Sequence, residues 1–412
     1  LHQYFVTPKQ SGGTRSYEFA RQLVRMGHEV TMITSYVQPY HHSKWFKTYE
    51  SGIKVYWLPL KYSNYSSFFE RIKVFLIFSW KSFFKIKEIE GDLIFASSTP
   101  LTIAIPAIFI SKKKNIPMVF EVRDLWPDIP IAMKILKNPF LIYLSKLLEK
   151  WAYVSSSAIV ALSPEMKKGI TIKNIDPKKI AVIPNSSDIE KFRFSRKQAI
   201  NFRSRRSWLK NRPLMVYAGA FGKVNDLSYI VELASKLKIQ NPEIRILLIG
   251  DGIEKKELIQ KAKKLKVYKK NLFFENPIPK NDMNACLSAA DITANLVTNV
   301  RENWANSANK FFDGLAAGKP IFLNHGGWMQ DLISKYKCGL CMHGKKMELV
   351  AEELDLSITN RNWLKSRGEA SKRLAKKYFD RNIHVDQLET VLTLAINNKF
   401  YLANEVTNKF YK

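Results

Sequence analysis

The chain has 412 residues, more than one hydrophobic core usually supports, and its 46% hydrophobic and 12% aromatic content favours two packed domains over disorder. Its three cysteines lack the paired spacing of a disulfide framework, which favours a reducing, cytoplasmic setting. Cys338 and Cys341 lie three residues apart, but no second pair completes a zinc site, so we predict no metal. The net charge of +30 predicts an anionic partner, such as nucleic acid, anionic lipid or a phosphorylated small molecule.

The opening residues 1–5 predict a first β-strand whose initial residues are missing, rather than a targeting segment. No apolar run reaches the roughly 18 residues that are needed to span a bilayer. The longest candidate, residues 100–110, is too short and contains Pro106. The sequence therefore predicts no transmembrane helix.

Short β-rich runs alternate with helical patterns through the first half of the chain. A helical pattern fills residues 14–28 and ends at Gly27. The β-rich runs are mostly continuous rather than alternating, as in buried parallel strands, and comprise residues 29–35, 53–59, 92–98, 116–122, 157–163 and 180–185. This alternation predicts a doubly wound sheet.

The same pattern restarts in the second half. Its strands are predicted at residues 213–219, 244–252, 271–277, 291–296 and 319–324. We therefore predict an α/β protein with two Rossmann-like, doubly wound domains, residues 1–190 and 191–385, followed by a helical tail at 386–412. Residues 191–212 are rich in basic residues without an acidic one, which indicates a linker or surface insertion at the boundary.

Two polar segments follow strands of the first domain, where ligands of doubly wound sheets bind. Gly12 and Gly13 precede a helix and would let a phosphate or sugar approach the backbone, although an ordinary tight turn explains them equally well. Glu121, Arg123 and Asp124 follow a buried strand, where unpaired charge is costly. Either Arg123 forms a structural pair with a carboxylate, or Asp124 orients or deprotonates an acceptor hydroxyl.

A third polar segment precedes a small-residue helix in the second domain. A helix beginning near Asn306 would present free backbone N–H groups to a diphosphate, and Lys310 would add a full charge. Asp313 would lie on the same helical face as Asn309 and could accept hydrogen bonds from a ribose. Asn306 or Ser307 could also cap the helix, which is compatible with ligand binding.

The chain resembles the retaining glycosyltransferases of family 4. The resemblance covers nearly the whole chain in collinear order and rests on SGGTRSYEFARQLVRMGHEVTMIT, EVRDLWPD, ALSPEM, VIPNSSD, VYAGAFG, IGDG, SAADI and ANKFFDGLAAGKPI. It implies the GT-B fold, in which two Rossmann-like domains face each other. The branch that the chain most resembles, of the WbuB type, builds bacterial surface polysaccharides such as O-antigen, capsule or exopolysaccharide.

The resemblance implies transfer of a hexosyl or N-acetylhexosaminyl unit from a nucleotide-sugar, often UDP-linked, with retention and without a metal. A polyprenyl-diphosphate-linked saccharide is the implied acceptor. The leaving diphosphate, stabilised by Lys310 and the helix N-terminus, would itself help to take the acceptor proton. The family's E-x7-E motif places its second carboxylate at Asp313 and its first at Ala305, so Asn306, Ser307 or backbone amides would have to substitute.

A basic pair that many family members carry falls here on Ala220 and Asn225, and only Lys223 supplies charge in that loop. Lys310, with Arg301 or Lys223, would then neutralise the diphosphate. The complete prediction assigns catalysis to Asp124, Lys310 and Asp313; donor binding to Gly12, Gly13, Gly219, Lys223, Gly250, Asp251, Arg301, Asn306, Ser307 and Asn309; and acceptor binding to Arg15, Glu121 and Arg123.

An amphipathic pattern in residues 65–89 predicts a helix at the membrane surface, which places the protein on the inner face of the cytoplasmic membrane. Phe68, Ile72, Phe75, Phe83 and Ile86 would form its apolar stripe. Lysines and an arginine flank that stripe, and anionic lipid attracts such residues. A helix of the first domain that buries the stripe and exposes its basic residues to solvent is the structural alternative.

Two other functions remain open from the sequence. Residues 191–212 interleave aromatic with basic residues, as single-strand nucleic-acid sites do, but no recognised nucleic-acid module occurs and we expect no nucleic-acid partner. A non-hydrolysing nucleotide-sugar epimerase on the same fold would use no acceptor, and the membrane-facing helix argues against it.

Overall fold

Strands and helices alternate along the computed structural model, which describes residues 1–38, 44–61 and 65–407. The first domain contains β1 (Thr31–Tyr36), β2 (Phe46–Glu50), β3 (Ile53–Pro59), β4 (Ile94–Ser97), β5 (Met118–Val122), β6 (Ala158–Ala161) and β7 (Ile180–Val182). The second contains β8 (Leu214–Ala218), β9 (Arg245–Ile249), β10 (Leu272–Glu275), β11 (Ile292–Asn295), β12 (Ile321–Leu323) and β13 (Gly339–Cys341).

Helices connect most of these strands. In the first half they are α1 (Arg15–Arg25), α2 (Phe68–Lys87), α3 (Ala104–Lys114), α4 (Asp128–Ala132), α5 (Pro139–Ser155) and α6 (Pro164–Thr171). They continue with α7 (Arg196–Ser204), α8 (Leu227–Gln240), α9 (Lys255–Lys264), α10 (Met283–Ala289), α11 (Asn309–Ala316), α12 (Trp328–Tyr336), α13 (Met347–Thr359), α14 (Arg361–Tyr378) and α15 (Arg381–Ile396). None of the helices in the described ranges is both long enough and apolar enough to cross a bilayer.

The first domain has two neighbouring sheets, ordered β1-β3-β2 and β4-β5-β6-β7, and β2 is antiparallel to β3. The opening residues lie between them in extended pairing, because the backbone N–H of His2 donates to Ile33 O at 3.1 Å and that of Ser97 donates to Leu1 O at 2.9 Å. The opening residues therefore form backbone hydrogen bonds with both sheets, as predicted for a strand, but they do not form a regular strand. The sequence pattern missed β2, whose residues are all partly or fully exposed and form no apolar run.

The second domain has one parallel sheet, ordered β10-β9-β8-β11-β12-β13. All eleven strands predicted from apolar runs occur in the two domains. The sequence missed β13, which has only three residues and lies at the edge of this sheet. Two Rossmann-like domains, as predicted, thus build the molecule.

The C-terminal helix α15 returns to the first domain. Val385, Leu388 and Val391 are buried in the same apolar cluster as Phe120 of β5, and the backbone N–H of Arg381 donates to Ser187 O at 3.1 Å. The predicted domain limit at residue 385 falls inside this helix. Residues 408–412 of the predicted tail lie outside the described part of the chain. The tail therefore completes the first domain's core.

The basic segment at 191–212 packs against the second domain. Trp208 stacks on Phe273 with ring centroids 3.8 Å apart, and Phe202 is buried. The guanidinium groups of Arg203 and Arg206 pair with carboxylates at 3.0 and 2.6 Å. These aromatic and basic side chains are thus engaged within the second domain, and the absence of a nucleic-acid partner stays a prediction.

Candidate active site

A cavity of about 500 Å³ lies in the cleft between the two domains. Eight of the predicted site residues line it: Gly12, Gly13, Arg123, Asp124, Asn306, Ser307, Asn309 and Lys310. The sequence analysis did not assign to the site a further set that also lines it, comprising His2, Tyr4, Val6, Thr99, Leu162, Asn185, Val224, Asn225, Val297 and Ala308. Several of these follow the carboxyl ends of strands, which is the signal by which they could have been found.

The N-terminus of α11 points into this cavity. The helix begins at Asn309, three residues later than predicted, because residues 301–305 form a separate short 3-10 helix. Its N-cap, Ala308, has no side chain that can accept a hydrogen bond, so the first N–H groups of the helix remain available to a ligand. An uncapped helix N-terminus favours a bound anion.

Lys310 lies on the first turn of α11. Its ammonium group donates to the hydroxyl of Tyr217 at 2.9 Å and to Asn225 Oδ1 at 3.1 Å, and it lies 4.2 Å from the centre of the Tyr217 ring. Burial lowers the pKa of Lys310 to about 7. An anion in the cavity would restore its charge, since a nearby negative group favours the protonated form.

Two glycines bring the first domain close to α11. Gly12 has a φ of 132°, which favours glycine, and a side chain on Gly13 would lie 2.7 Å from Asn309 Nδ2 and 3.8 Å from Arg123 Nη2. The absence of a side chain at Gly13 therefore lets the Asn309 side chain approach its backbone this closely where the two domains meet. This is the position predicted for the donor phosphates.

The segment before α11 forms hydrogen bonds with Asn185 and Ser163, which precede the second domain in the chain. The backbone N–H of Asn185 donates to Ser307 Oγ at 3.0 Å, and Ser163 Oγ donates to Ala305 O at 2.6 Å. Ala305, where family members carry the first acidic residue of the motif, is buried among apolar residues of the first domain. The neighbouring polar groups that line the cavity are those of Asn306 and Ser307.

Asp124 faces the cavity from the first domain. Thr99 Oγ1 donates to its carboxylate at 3.2 Å. Burial raises the pKa of Asp124 above its usual value. A carboxylate with a raised pKa is a better proton acceptor, which is compatible with the base role predicted for it.

The structure changes the interpretation of the charged residues around Asp124. Arg15 Nε donates to Glu121 Oε1 at 2.8 Å, and the rest of its guanidinium donates to the carbonyls of Ile183 and Pro184. Both charged side chains are 1% exposed. Arg15 and Glu121 are therefore buried, paired with each other and outside the cavity lining, and their contact with an acceptor stays a prediction.

Asp313 does not line the cavity. It is a buried residue of α11 itself, where Lys280 Nζ forms an ion pair with it and Ser187 Oγ donates to it at 3.0 Å. Its role as acceptor for a ribose diol stays a prediction. The sequence could not indicate Lys280, which lies 33 residues earlier in the chain.

The predicted donor residues of β8 and β9 lie beside the cavity rather than in its lining. A side chain on Gly219 would lie 3.2 Å from Lys310 Nζ, and one on Gly250 would overlap Gly219 O at 1.9 Å. Asp251 Oδ1 accepts a hydrogen bond from the hydroxyl of Tyr65 at 2.8 Å, across the cleft. The close approach of the Gly219 backbone explains why residue 250 is a glycine. Asp251 forms a hydrogen bond between the two domains.

Lys223 and Arg301, the predicted partners of Lys310, are exposed and do not line the cavity. The second cation that lines it is instead Arg123. Within the described ranges, no three His, Cys, Asp or Glu side chains come together in a way that could hold a metal ion.

Two Rossmann-like domains with a cleft site between them are the architecture of the GT-B glycosyltransferases, and the comparison with known families shows that the chain is of this class. The model of Glycosyltransferase Family 4 matches residues 12–191, and that of Glycosyl transferases group 1 matches residues 200–377. The chain therefore belongs to the GT-B glycosyltransferases, with a family 4 domain followed by a group 1 domain. No curated protein matches its sequence.

Solved structures show the same fold at low sequence identity. Sucrose-phosphate synthase from Thermosynechococcus elongatus is 13% identical, with a TM-score of 0.77 over 96% of this chain and 98% of that one. Anabaena HepE in complex with UDP-glucose is 14% identical, with a TM-score of 0.68 over 95% and 99%. WaaG, a glycosyltransferase involved in lipopolysaccharide biosynthesis, is 15% identical, with a TM-score of 0.67 over 94% and 97%.

Proposed function

We propose that the protein transfers a sugar from a UDP-linked donor to a polyprenyl-diphosphate-linked saccharide, with retention of configuration and without a metal. The observation that carries this proposal is the cleft cavity, in which the uncapped N-terminus of α11 and Lys310 face Asp124. An anion-binding wall opposite a carboxylate is the arrangement that a nucleotide-sugar and an acceptor hydroxyl need. Anabaena HepE, which shares the fold, was solved with UDP and with UDP-glucose.

In this mechanism the diphosphate lies against the N-terminus of α11 and Lys310. These groups stabilise the negative charge that develops on the leaving diphosphate as the bond to the sugar breaks. The departing phosphate oxygen takes the proton of the acceptor hydroxyl on the same face, and Asp124 orients that hydroxyl. Holding donor and acceptor together between the domains supplies a further part of the rate.

We also propose that the protein binds the inner face of the cytoplasmic membrane, and that it serves surface polysaccharide synthesis in a WbuB-like branch. The supporting observation is an exposed apolar surface on the first domain, here called the three-helix face. Its exposed apolar side chains are Phe69, Leu76, Trp80 and Phe84 of α2, Phe109 of α3, and Phe140, Tyr143, Leu144 and Leu147 of α5.

The three-helix face is continuous across its helices. The rings of Phe83 and Phe109 lie 6.4 Å apart, and those of Phe109 and Trp151 lie 5.4 Å apart, which joins α2 to α3 and α3 to α5. The exposed basic side chains of the same helices include Lys73, Lys81, Lys87, Lys112, Lys113, Lys146 and Lys150. Aromatic residues flanked by lysines suit the headgroup region of an anionic bilayer.

This surface differs from the apolar stripe predicted within α2. Ile86 is buried and Phe83 is half-buried against the first domain's core, whereas Trp80 on the other side of the helix is 67% exposed. The side chain of Phe68 lies outside the described part of the chain. The predicted stripe therefore lies on the side of α2 that faces the core. The side of α2 that carries Trp80 is the one that we propose contacts lipid.

Product analysis tests the proposed activity. Purified protein would be incubated with UDP-, GDP- and dTDP-sugars and a short polyprenyl-diphosphate saccharide, with and without EDTA. We expect transfer from a UDP-sugar, unaffected by EDTA, and NMR of the product should show the donor's anomeric configuration. Release of a free sugar nucleotide epimer without acceptor would instead show the epimerase, and inversion or a loss with EDTA would contradict the proposed mechanism.

A further inference from the structure

The basic pair that many members of the family carry in the first loop of the second domain has no equivalent in this chain. Its two usual positions hold Ala220 and Asn225, and Asn225 Oδ1 accepts a hydrogen bond from Lys310 at 3.1 Å instead of supplying charge. Lys223 in the same loop is exposed and does not line the cavity. Lys310 is thus the one cation that the second domain contributes to the cavity lining of the described residues.

Arg123 of the first domain is a second cation in that lining. The carboxylate that could have paired with it, Glu121, is taken by Arg15 at 2.8 Å and by the hydroxyl of Ser97. Within the described part of the chain, no carboxylate lies within ion-pair distance, 4.0 Å, of the Arg123 guanidinium. The structural pair that would have explained Arg123 is therefore absent from this site.

One neighbour holds the Arg123 guanidinium in place. Its Nη1 lies 3.0 Å from His2 Nε2, and burial, followed by the charge of Arg123, lowers the pKa of His2 well below its usual value. A neutral imidazole can accept this hydrogen bond but cannot neutralise the charge. The guanidinium is consequently oriented and half-buried, and the carboxylates of Glu121 and Asp124 act on it electrostatically without forming a direct ion pair.

Arg123 and α11 reach the same place from opposite walls of the cleft. A Cβ built on Gly13 would lie 3.8 Å from Arg123 Nη2 and 2.7 Å from Nδ2 of Asn309, the residue that begins α11, so these two side chains both come close to the Gly13 backbone. Lys310 follows on the same turn. An anion beside Gly13 would contact positive groups of both domains.

We infer that Arg123 and Lys310 form a bipartite diphosphate site, one cation from each domain. This inference rests on the proposed function and extends it. It names Arg123 as the cation that replaces the missing basic residues of the second domain, and it assigns Arg123 to binding of the donor instead of the acceptor. Two cations balance the two charges of a nucleotide-sugar diphosphate, and the guanidinium can bind phosphate through paired N–H groups.

The arrangement makes diphosphate binding depend on closure of the cleft. With the domains apart, Lys310 and the helix N-terminus alone would face the phosphates. With the domains together, as held here by the Tyr65–Asp251 hydrogen bond and by the backbone N–H of Lys280 donating to Gln10 O at 3.2 Å, Arg123 joins them. The donor's phosphates would thereby stabilise the closed form.

Calorimetry can test the bipartite site with a nucleoside diphosphate and the matching monophosphate. The wild type would be titrated with UDP, GDP and ADP; the tightest binder and its monophosphate would then be used on Arg123→Gln, Arg123→Lys and the control Arg205→Gln, at an exposed arginine outside the cavity lining. We expect Arg123→Gln to weaken diphosphate binding by about tenfold to hundredfold and monophosphate binding much less. Arg123→Lys should fall between, and Arg205→Gln should match the wild type.

Two outcomes would overturn the inference, and they differ in what else they affect. If Arg123→Gln keeps the wild-type ratio of diphosphate to monophosphate affinity while the KM for the acceptor rises, Arg123 binds the acceptor and only the bipartite site fails. If the wild type binds none of the three diphosphates, the proposed function fails with it. Thermal unfolding of each variant would show whether a loss of binding reflects a loss of fold.

Discussion

The ammonium group of Lys280 and the carboxylate of Asp313 form an ion pair in the interior, where their side chains are 10% and 7% exposed. Ser187, in the segment between the domains, donates to the other carboxylate oxygen at 3.0 Å. The backbone N–H of Lys280 also donates to Gln10 of the first domain. This pair therefore joins both domains and their connection at one point beneath α11.

Removal of the carboxylate from this pair should destabilise the protein. Asp313→Ala leaves the Lys280 ammonium buried without a partner, which costs about 3–5 kcal/mol in comparable buried pairs. Urea denaturation would measure the loss in the free energy of unfolding. The double variant Asp313→Ala with Lys280→Met should recover much of it, and an Asp313→Ala variant as stable as the wild type would show that the pair is not closed in solution.

A separate measurement tests whether Asp313 also contacts the ribose. Asp313→Asn keeps the shape of the side chain but removes its charge and one accepting oxygen. If the carboxylate accepts hydrogen bonds from a ribose diol, the wild type should prefer UDP over 2′-deoxy-UDP, by about tenfold for a charged hydrogen bond, and the variant should lose that preference. An unchanged preference in Asp313→Asn would confine this residue to its structural role.

Replacement of Lys310 should reduce turnover far more than stability. Lys310→Ala removes the ammonium group that faces the leaving diphosphate, and loss of one such electrostatic group costs about a hundredfold to a thousandfold in kcat. Its melting temperature should change little, because Lys310 has only polar, uncharged hydrogen-bond partners. Lys256→Ala, at an exposed lysine of the same domain, is the matched control, and wild-type activity in Lys310→Ala would refute the role assigned here.

Donor affinity should fall with rising pH. The pKa of Lys310 is lowered to about 7 by burial, and a bound diphosphate raises it, so binding above that pH takes up a proton. Between pH 7 and 9, where the phosphate itself is fully ionised, the Kd for UDP should rise by up to about tenfold per pH unit. Calorimetry across this range should show the slope in the wild type and its absence in Lys310→Met; equal slopes would contradict the assignment.

The three-helix face should determine lipid binding. Trp80→Ser combined with Leu147→Ser removes two exposed apolar anchors from different helices and should lower partition onto phosphatidylglycerol liposomes by about tenfold or more. Ile239→Ser is the control, since Ile239 is 85% exposed on α8 of the second domain. Sedimentation would measure the bound fraction, and an equal loss in both variants would mean that lipid contact is not specific to this face.

Local sequence signals predicted most of the fold and the position of the cavity. Buried parallel strands need continuous apolar runs, so such runs predicted eleven strands, whereas β2 and β13, most of whose residues are at least partly exposed, have no such run. The glycine pair at residues 12–13 follows the extended opening residues and the lysine at the start of α11 follows β11, and ligands of doubly wound sheets bind at the ends of such segments. These features depend on neighbours a few residues away in the chain.

Contacts between distant residues decided the rest. Arg15, rather than Arg123, pairs with Glu121 although it lies 106 residues away, and this leaves Arg123 in the cleft. The sequence of α2 is apolar around much of its surface, so only packing against the core determined that Trp80 faces outward. The sequence by itself thus determined the elements and the chemical groups at their ends, and the tertiary structure decided which charges were neutralised, because neutralisation depends on distance in space.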